Sequence, residues 1–232
     1  MKVAILAGGF GKRLRPLTSE KPKPLVEVAD KPILVHQIDW LRSHGFNEIV
    51  LLVGYLKEKI MEYIGGGSRF GVRVVYVVEE EPLGTGGALK NAEHVLKNED
   101  VFLVLNGDII TNLDPSRLIE TVRSGEAAAA VAAVPLRSPY GILELGEGDK
   151  ILAFREKPVL HEYWINAGVY AMSPRVFDYL PQRGDIERNG FPQLAREGLL
   201  KAVKYEGVFW RSIDTHKDIE EAAKELARQV SG

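Results

Sequence analysis

Cysteine is absent from all 232 residues. The chain therefore has no disulfide, no zinc–thiolate centre and no thiol nucleophile. An excess of charge of either sign is also missing, since 30 basic residues face 32 acidic ones for a formal net charge of −2. Nucleic acid as the main partner would demand a basic face, and this balance argues against it. Long apolar runs are lacking. Met1–Ala7 is a short apolar stretch ending in glycines, too short for a secretion signal, and no run approaches a membrane span. The expectation is a cytoplasmic protein with neither a membrane nor a nucleic-acid partner. The five histidines, His36, His44, His94, His161 and His216, are scattered, and there is no Gly-x-Ser-x-Gly elbow. A hydrolytic triad or zinc hydrolase has little to build with, and each histidine reads as structural.

What is present is a 45% hydrophobic chain, enough for a sizeable core, with no linker, repeat or low-complexity tract. Apolar runs predict strands at Val3–Ala7, Ile49–Val53, Val72–Val78 and Val101–Leu105. Helix-period segments at Pro32–His44, Leu56–Ile64 and about Gly86 to Leu96 separate them, and Gly45 stops the first. Near-continuous apolar strands spaced by helices imply a parallel sheet covered on both faces, a doubly wound α/β arrangement. The second half reads as more mixed. Strands are expected at Ala127–Val134, ending at Pro135, and at Ala167–Met172, with a hairpin of Gly141–Leu145 and Ile151–Glu156. Gly65–Gly67 reads as a turn, and Thr215 with Asp218 fits a capping box for a final helix ending near Val230.

The strongest local signal follows the first strand: Leu6-Ala7-Gly8-Gly9-Phe10-Gly11-Lys12-Arg13-Leu14-Arg15-Pro16-Leu17-Thr18. Glycines beyond a buried strand let backbone N–H groups approach an anion without Cβ interference. Lys12, Arg13 and Arg15, then Lys21 and Lys23, add positive charge where open α/β sheets bind ligands. A Walker A loop fails because Leu6 and Arg13 stand where glycine and Ser/Thr are needed, and a dinucleotide fingerprint fails at Leu14. The competing reading is a glycine turn with solvated charges.

The string Gly8-Gly9-x-Gly11-x-Arg13-Leu14-x-Pro16-Leu17-Thr18, followed by Pro22-Lys23-Pro24-Leu25, resembles the signature of sugar-phosphate nucleotidylyltransferases. The resemblance continues through Glu79–Gly87, Leu105-Asn106-Gly107-Asp108, Pro139-Tyr140-Gly141, Glu156-Lys157-Pro158, Ile165-Asn166-Ala167-Gly168 and Phe209-Trp210, nearly the whole chain in order. It implies the nucleotide-diphospho-sugar transferase fold, a mostly parallel Rossmann-like sheet with a smaller mixed sugar-binding lobe. One domain is expected, with a nucleotide-binding half at about 1–125 and a sugar-phosphate-binding half at about 126–232. The implied reaction is attack by a sugar 1-phosphate oxygen on the α-phosphorus of a nucleoside triphosphate, with pyrophosphate leaving. That nucleophile is already an anion, so positioning and charge neutralisation suffice.

By the resemblance, Gly8, Gly9 and Gly11 cradle phosphates, Arg13 binds the β- and γ-phosphates, and Lys23 neutralises charge at the α-phosphate. Lys12 stands where the family has Thr or Ser and is assigned at most a phosphate contact. Leu6, Ala7, Glu79, Gly84, Thr85 and Asn106 complete the nucleotide side, with the Gly84–Gly87 amides and Glu79 offered to the base or ribose. Asp108, a hard oxygen ligand past a strand end, suits Mg2+. Tyr140, Gly141, Glu156, Lys157, Asn166 and Gly168 form the implied sugar-phosphate pocket. One position departs from the pattern: close relatives carry Asp two residues after the Trp as a second metal ligand, and this chain has Ser212. Asp214 faces the same way on an extended segment and stands open between two readings, replacement ligand and helix-entry residue. The motifs most resemble those of mannose-1-phosphate guanylyltransferases. UTP or dTTP with glucose 1-phosphate is the alternative, and a catalytically silent sugar-nucleotide sensor the rival of another class. No hexapeptide repeat follows, so no acyltransferase activity is expected, and a homo-oligomer is left open.

Overall fold

The computed structural model describes residues 1–230. After β1 (Lys2–Ala7) come the glycine-rich loop, the short antiparallel pair β2 (Glu27–Val28) and β3 (Lys31–Pro32), and helix α1 (Ile33–Ser43). Next follow β4 (Glu48–Val53), α2 (Lys57–Ile64), β5 (Arg73–Val78), α3 (Gly84–Asn91), α4 (Glu93–Leu96) and β6 (Phe102–Asn106). The remainder holds β7 (Ile109–Thr111), α5 (Ser116–Arg123), β8 (Ala129–Arg137), the hairpin β9 (Ile142–Leu145) with β10 (Ile151–Arg155), and β11 (Val159–Met172). It closes with α6 (Gly190–Arg196), β12 (Leu200–Lys204), β13 (Trp210–Ser212) and α7 (His216–Val230).

Seven strands make one sheet in the order β12-β8-β11-β6-β1-β4-β5. All neighbours are parallel except β11, which runs antiparallel between β6 and β8. Strands buried on both faces dictate this layering. Val3, Ile5 and Ala7 of β1, with Ile49, Leu51 and Val53 of β4, point into a core shared with Leu34, Ile38 and Leu41 of α1 and Ile60 of α2. The intervening Ala4, Val50 and Leu52 point into a second core with Leu89 of α3 and Leu194 of α6. Each such aliphatic side chain contributes about 1.5–3 kcal/mol relative to exposure, so the alternation holds helices on both faces. The chain leaves β1 toward β4 and β5, then returns to the other side of β1 as β6. That reversal is a topological switch point, and a crevice opens there beyond the strand ends.

Three of the expected elements differ in number or extent, and β2, β3, β7, α5, α6, β12 and β13 were not expected. The helix expected from about Gly86 to Leu96 is two, α3 and α4, separated at Ala92. The strand expected to stop at Pro135 continues to Arg137. Pro135 lies opposite Trp164 where the β8–β11 register shifts, a bulge that tolerates its missing N–H. The strand expected over Ala167–Met172 begins at Val159; its first half is largely exposed and pairs with β8 alone, while only the later residues also pair with β6. Among the described residues no helix is long and apolar enough to cross a membrane.

Gly107 fixes how the strand ends meet. Its N–H donates to Leu6 O at 3.0 Å, and a Cβ there would stand 2.3 Å from that oxygen. We expect Gly107→Ala to cost roughly 1–3 kcal/mol, the range for overpacking, read as a lower urea midpoint. Gly9 has nothing within 4 Å of its Cβ position, so Gly9→Ala should stay within about 0.5 kcal/mol. Equal midpoints for the two variants would overturn the close-approach argument.

Candidate active site

Beyond the carboxyl ends of β1 and β6 lies a cleft of about 400 Å³, within the range of small-ligand pockets. Its lining gathers every residue expected on the nucleotide side: Leu6, Ala7, Gly8, Gly9, Gly11, Lys12 and Arg13 from the first loop, Lys23, Glu79, Gly84, Thr85, Asn106 and Asp108. Asp214 joins them from the far end of the chain. No histidine lines it.

The first loop is shaped by local bonds. Gly11 takes a left-handed conformation (φ 60°) that a side chain would strain, and its carbonyl accepts from Leu14 N–H at 2.9 Å and Thr18 Oγ1 at 2.8 Å. Gly8 packs so closely on Glu79 that a Cβ would stand 2.3 Å from Glu79 Oε1. The other oxygen of Glu79 accepts from Leu83 N–H at 3.2 Å. Burial raises the Glu79 carboxyl above the usual carboxylate range, against the opposing pull of that amide.

At the cleft floor the Lys23 ammonium lies 2.7 Å from Asp108 Oδ2 and 2.7 Å from Asp214 Oδ1, with its side chain 14% exposed. Arg13 reaches the same Asp214 oxygen at 2.8 Å. Burial alone would raise the Asp214 pKa. The Lys23 hydrogen bond and charge, the Arg13 charge and the Ser212 hydrogen bond outweigh it and hold the carboxyl below its ordinary range. Ser212 Oγ donates to Asp214 Oδ2 at 3.1 Å, so residues two apart do face the same way. Asp214 is not the cap of α7. Thr215 N–H and Oγ1 donate to Asp218 Oδ2, and Asp218 N–H returns to Thr215 Oγ1 at 3.3 Å, the reciprocal pattern of a capping box.

The backbone that carries Asp108 is held from below. Gln37, a buried side chain of α1, donates through Nε2 to Asn106 O at 2.8 Å and Ile109 O at 2.9 Å. Asp108 O accepts from Ile213 N–H at 2.9 Å, which ties the segment leading to Asp214 to the same strand end. Sequence reasoning passed over Gln37, because a lone polar residue on an apolar helix face carries no functional mark. It also passed over Asp185, which lines the cleft from the second half.

One expectation is corrected. The amides at the start of α3 are not all open to a ligand, since Gly86 and Gly87 N–H donate to Gly184 O at 2.9 and 3.1 Å. Thr85 Oγ1 is likewise engaged, donating to Glu187 Oε2 at 2.7 Å and accepting from Ile186 N–H at 2.9 Å. A segment of the second half thus occupies the donors that the sequence offered to the base.

The expected sugar-phosphate residues lie outside the cleft lining. Tyr140, Gly141, Glu156 and Lys157 stand at the base of the β9–β10 hairpin, with Lys157 Nζ 3.5 Å from Glu156 Oε1. Asn166 and Gly168 lie on β11, where Gly168 N–H donates to Asn166 Oδ1 at 2.8 Å. Asn166 Nδ2 donates to the buried Tyr170 hydroxyl at 2.9 Å. Gly168 approaches the Asn106 side chain so closely that a Cβ would stand 2.9 Å from Nδ2, so β11 abuts the floor of the cleft.

This chain is similar to a Yarrowia lipolytica protein named mannose-1-phosphate guanyltransferase, 41% identical over 227 residues, covering 94% of this chain and 62% of that protein. A Mycobacterium tuberculosis mannose-1-phosphate guanylyltransferase is 34% identical over 98% of this chain and 65% of its own length. The chain thus spans 62% and 65% of the length of these relatives. The crystal structure of HddC from Yersinia pseudotuberculosis complexed with GMP-PN superposes with a TM-score of 0.77 at 29% identity, covering 97% of this chain and 99% of that one. The family model described as nucleotidyl transferase matches residues 2–229, and the chain belongs to that family.

Proposed function

We propose that this chain transfers a guanylyl group from GTP to mannose 1-phosphate, with Mg2+ as cofactor, from a cytoplasmic location. The observation that carries the reading is the convergence of Lys23 and Arg13 on Asp108 and Asp214 at the floor of a glycine-walled cleft. In the reaction a phosphate oxygen of the sugar 1-phosphate bonds to the α-phosphorus, the bond to the β-phosphate bridging oxygen breaks, and pyrophosphate leaves. The nucleophile arrives ionised, so a site with no histidine, cysteine or activated serine is adequate to it. Lys23 and Arg13 hold the triphosphate and offset charge as the transition state spreads it over the phosphoryl oxygens.

The donor set fits a magnesium ion. That ion takes one or two carboxylates plus substrate phosphates and water, in preference to an all-protein cage. Asp108 and Asp214 supply two carboxylates, and among the described residues no group of three or more candidate ligands exists. When bound, the ion supplies positive charge at the phosphates. Lys157 and Glu156 are assigned the sugar phosphate and sugar hydroxyls, so the nucleotide is held by the strand ends of about 1–125 and the sugar by the lobe of about 126–232.

Guanine is favoured over other bases by the character of the wall. Glu79 presents carboxylate oxygens, and guanine alone among common bases offers paired N–H donors at N1 and N2 to one carboxylate. The names of the relatives and the GMP-PN complex of the Yersinia protein support the same choice.

Pyrophosphate release measured for five nucleoside triphosphates against mannose and glucose 1-phosphates tests the reading. GTP with mannose 1-phosphate should give the highest kcat/KM, and no turnover with any pair would leave the chain a sensor. Glu79→Gln should lower kcat/KM for GTP by roughly 10–100-fold, the worth of a hydrogen bond to a charged group. Because the Glu79 pKa is raised, it loses its acceptor form as pH falls through a value above the ordinary glutamate range. The acid limb of kcat/KM for GTP should therefore vanish in Glu79→Gln, and an unchanged limb would remove Glu79 from base recognition.

Asp108→Asn should lower kcat by roughly 10²–10³, the cost of losing one electrostatic stabiliser, with the chain still folded. Asp214→Ala should cost far more activity than Ser212→Ala and raise the magnesium concentration giving half the maximal rate. A lowered melting temperature with an unchanged magnesium response would refute the ligand role of Asp214. Lys157→Ala should raise KM for the sugar 1-phosphate, and Arg13→Ala should raise KM for the triphosphate. Both variants affecting the same substrate would sink the division of labour.

A further inference from the structure

Tyr170 is wholly buried, and its ring packs on Phe191 with centroids 5.2 Å apart. Among the described residues it is the one buried member of the second core that carries a hydroxyl. A phenylalanine would fill the same space, so packing alone does not explain that group. Its partners lie toward the site. Asn166 Nδ2 donates to it at 2.9 Å, and Asn166 Oδ1 is fixed in turn by Gly168 N–H at 2.8 Å. The carboxamide of Asn106, a residue of the cleft lining, also bears on the hydroxyl, more weakly.

The backbone brings these groups together. Residues four apart on a regular strand are separated by about 13 Å, a long way for one Asn–Tyr hydrogen bond. Here the register of β11 against β8 shifts, with Asn166 opposite Ala133 and Tyr170 opposite Val131. Three residues of β11 thus stand against Ala132 alone, and Gly168, at a φ of 69°, lies within that bulge. On β6, Asn106 is two residues past Val104, the strand partner of Tyr170, and so faces the same side. Asn166 is exposed whereas Tyr170 is not, so the hydroxyl tethers a surface amide to the core.

Burial pushes the Tyr170 phenol above its ordinary pKa, so the hydroxyl keeps its proton. That proton needs an acceptor, and Asn106 Oδ1 is buried without a donor among the described residues. A carboxamide presents oxygen in place of nitrogen to a neighbour by a half-turn about its last torsion. We propose that Tyr170 is a positioning residue for nucleotidyl transfer, its hydroxyl accepting from Asn166 and donating to Asn106 so that the two amides keep one orientation. This rests on the reading that sets Asn106 on the nucleotide side and Asn166 on the sugar-phosphate side. The hydroxyl itself meets neither substrate. It couples one group from each half, and misplacing such groups by about 1 Å costs about 10²-fold in rate.

Tyr170→Phe keeps the ring and removes the hydroxyl. Its kcat should fall by roughly 10–100-fold while KM for the triphosphate stays within about twofold. Phe191→Leu, which loosens the ring and leaves the hydroxyl, should lower the melting temperature without that loss of kcat. Tyr170→Phe combined with Asn166→Ala should cost less than the product of the two single effects, because the two changes break one shared bond. In heteronuclear NMR spectra the side-chain amide signals of Asn166 and Asn106 should both move in Tyr170→Phe. A Tyr170→Phe kcat within about twofold of wild type marks the residue as packing only and overturns the proposal. Movement of the Asn166 signal alone overturns it as well, by detaching Asn106. If Tyr170→Phe does not fold, Asn106→Ala with Asn166→Ala decides in its place. Coupled through the hydroxyl, their combined cost in kcat falls short of the product, and strict multiplication refutes the link. A wild type inactive with every substrate pair sinks the underlying reading and this proposal together, whereas an active wild type with an unimpaired Tyr170→Phe sinks this proposal alone.

Discussion

Two carboxylates and two cations meet at one point, and the architecture around the cleft is arranged to make that meeting possible. Lys23 is mostly withdrawn from water, and a lone ammonium there would be costly. Asp108 and Asp214 offset that cost, and Arg13 shares Asp214. The four groups come from a loop near the start, a strand end in the middle and the entry to the last helix. Such a cluster is weak evidence of net stability, because desolvation consumes much of the Coulombic gain. Its effect is to bring three distant segments to one place. Formally the four charges cancel, so an arriving triphosphate brings negative charge that they leave uncompensated. On the proposed reading, that excess would be met by added cationic charge, such as Lys12 or the Mg2+ proposed above.

Close backbone approaches supply the geometry. Gly107 lets β1 and β6 end in contact, Gly8 lets Glu79 lie flat against the phosphate loop, and Gly168 brings β11 against Asn106. Gly84, at a φ of 77°, sits so near Gly184 that a Cβ would stand 2.7 Å from its backbone. These are sites where a methyl group, not a charge, would disturb the cleft. Gln37 belongs to the same support: one buried amide clamps both sides of the Gly107–Asp108 turn from beneath.

The strands of the first half were legible to within a residue or so, because strands buried on both faces are written as unbroken apolar runs. β11 was legible only from Ala167 onward, where it enters the core, since its earlier residues are largely exposed and pair with β8 alone. That the glycine-rich loop lines the cleft was legible because glycine and cation spacing is local. The clamp of Gly184 on Gly86 and Gly87 was not, because a carbonyl about a hundred residues away leaves no trace in a propensity pattern. Asp185 shares that origin: it reaches the cleft only because the Gly184 segment docks on α3. The two readings of Asp214 were legible, but its approach to Lys23 was not, because it depends on packing between distant segments.

That approach bears on the departure at Ser212. A carboxylate two residues further along an extended segment points to the same side, and the distances bear this out, with Asp214 Oδ1 on Lys23 and Oδ2 accepting from Ser212 Oγ. The serine therefore steers the carboxylate that stands beside it. Thr215 and Asp218 form the capping box of α7, and Asp218 Oδ2 also accepts from Asp214 N–H at 3.0 Å. The backbone of Asp214 is thus pinned by the cap while its side chain faces the cleft. The carboxylate at this point is that of Asp214, while the residue two after the tryptophan is Ser212. Depression of the Asp214 pKa adds the last step: the carboxyl stays ionised well below neutral pH, so the charge that balances Lys23 and Arg13 persists wherever a triphosphate would bind.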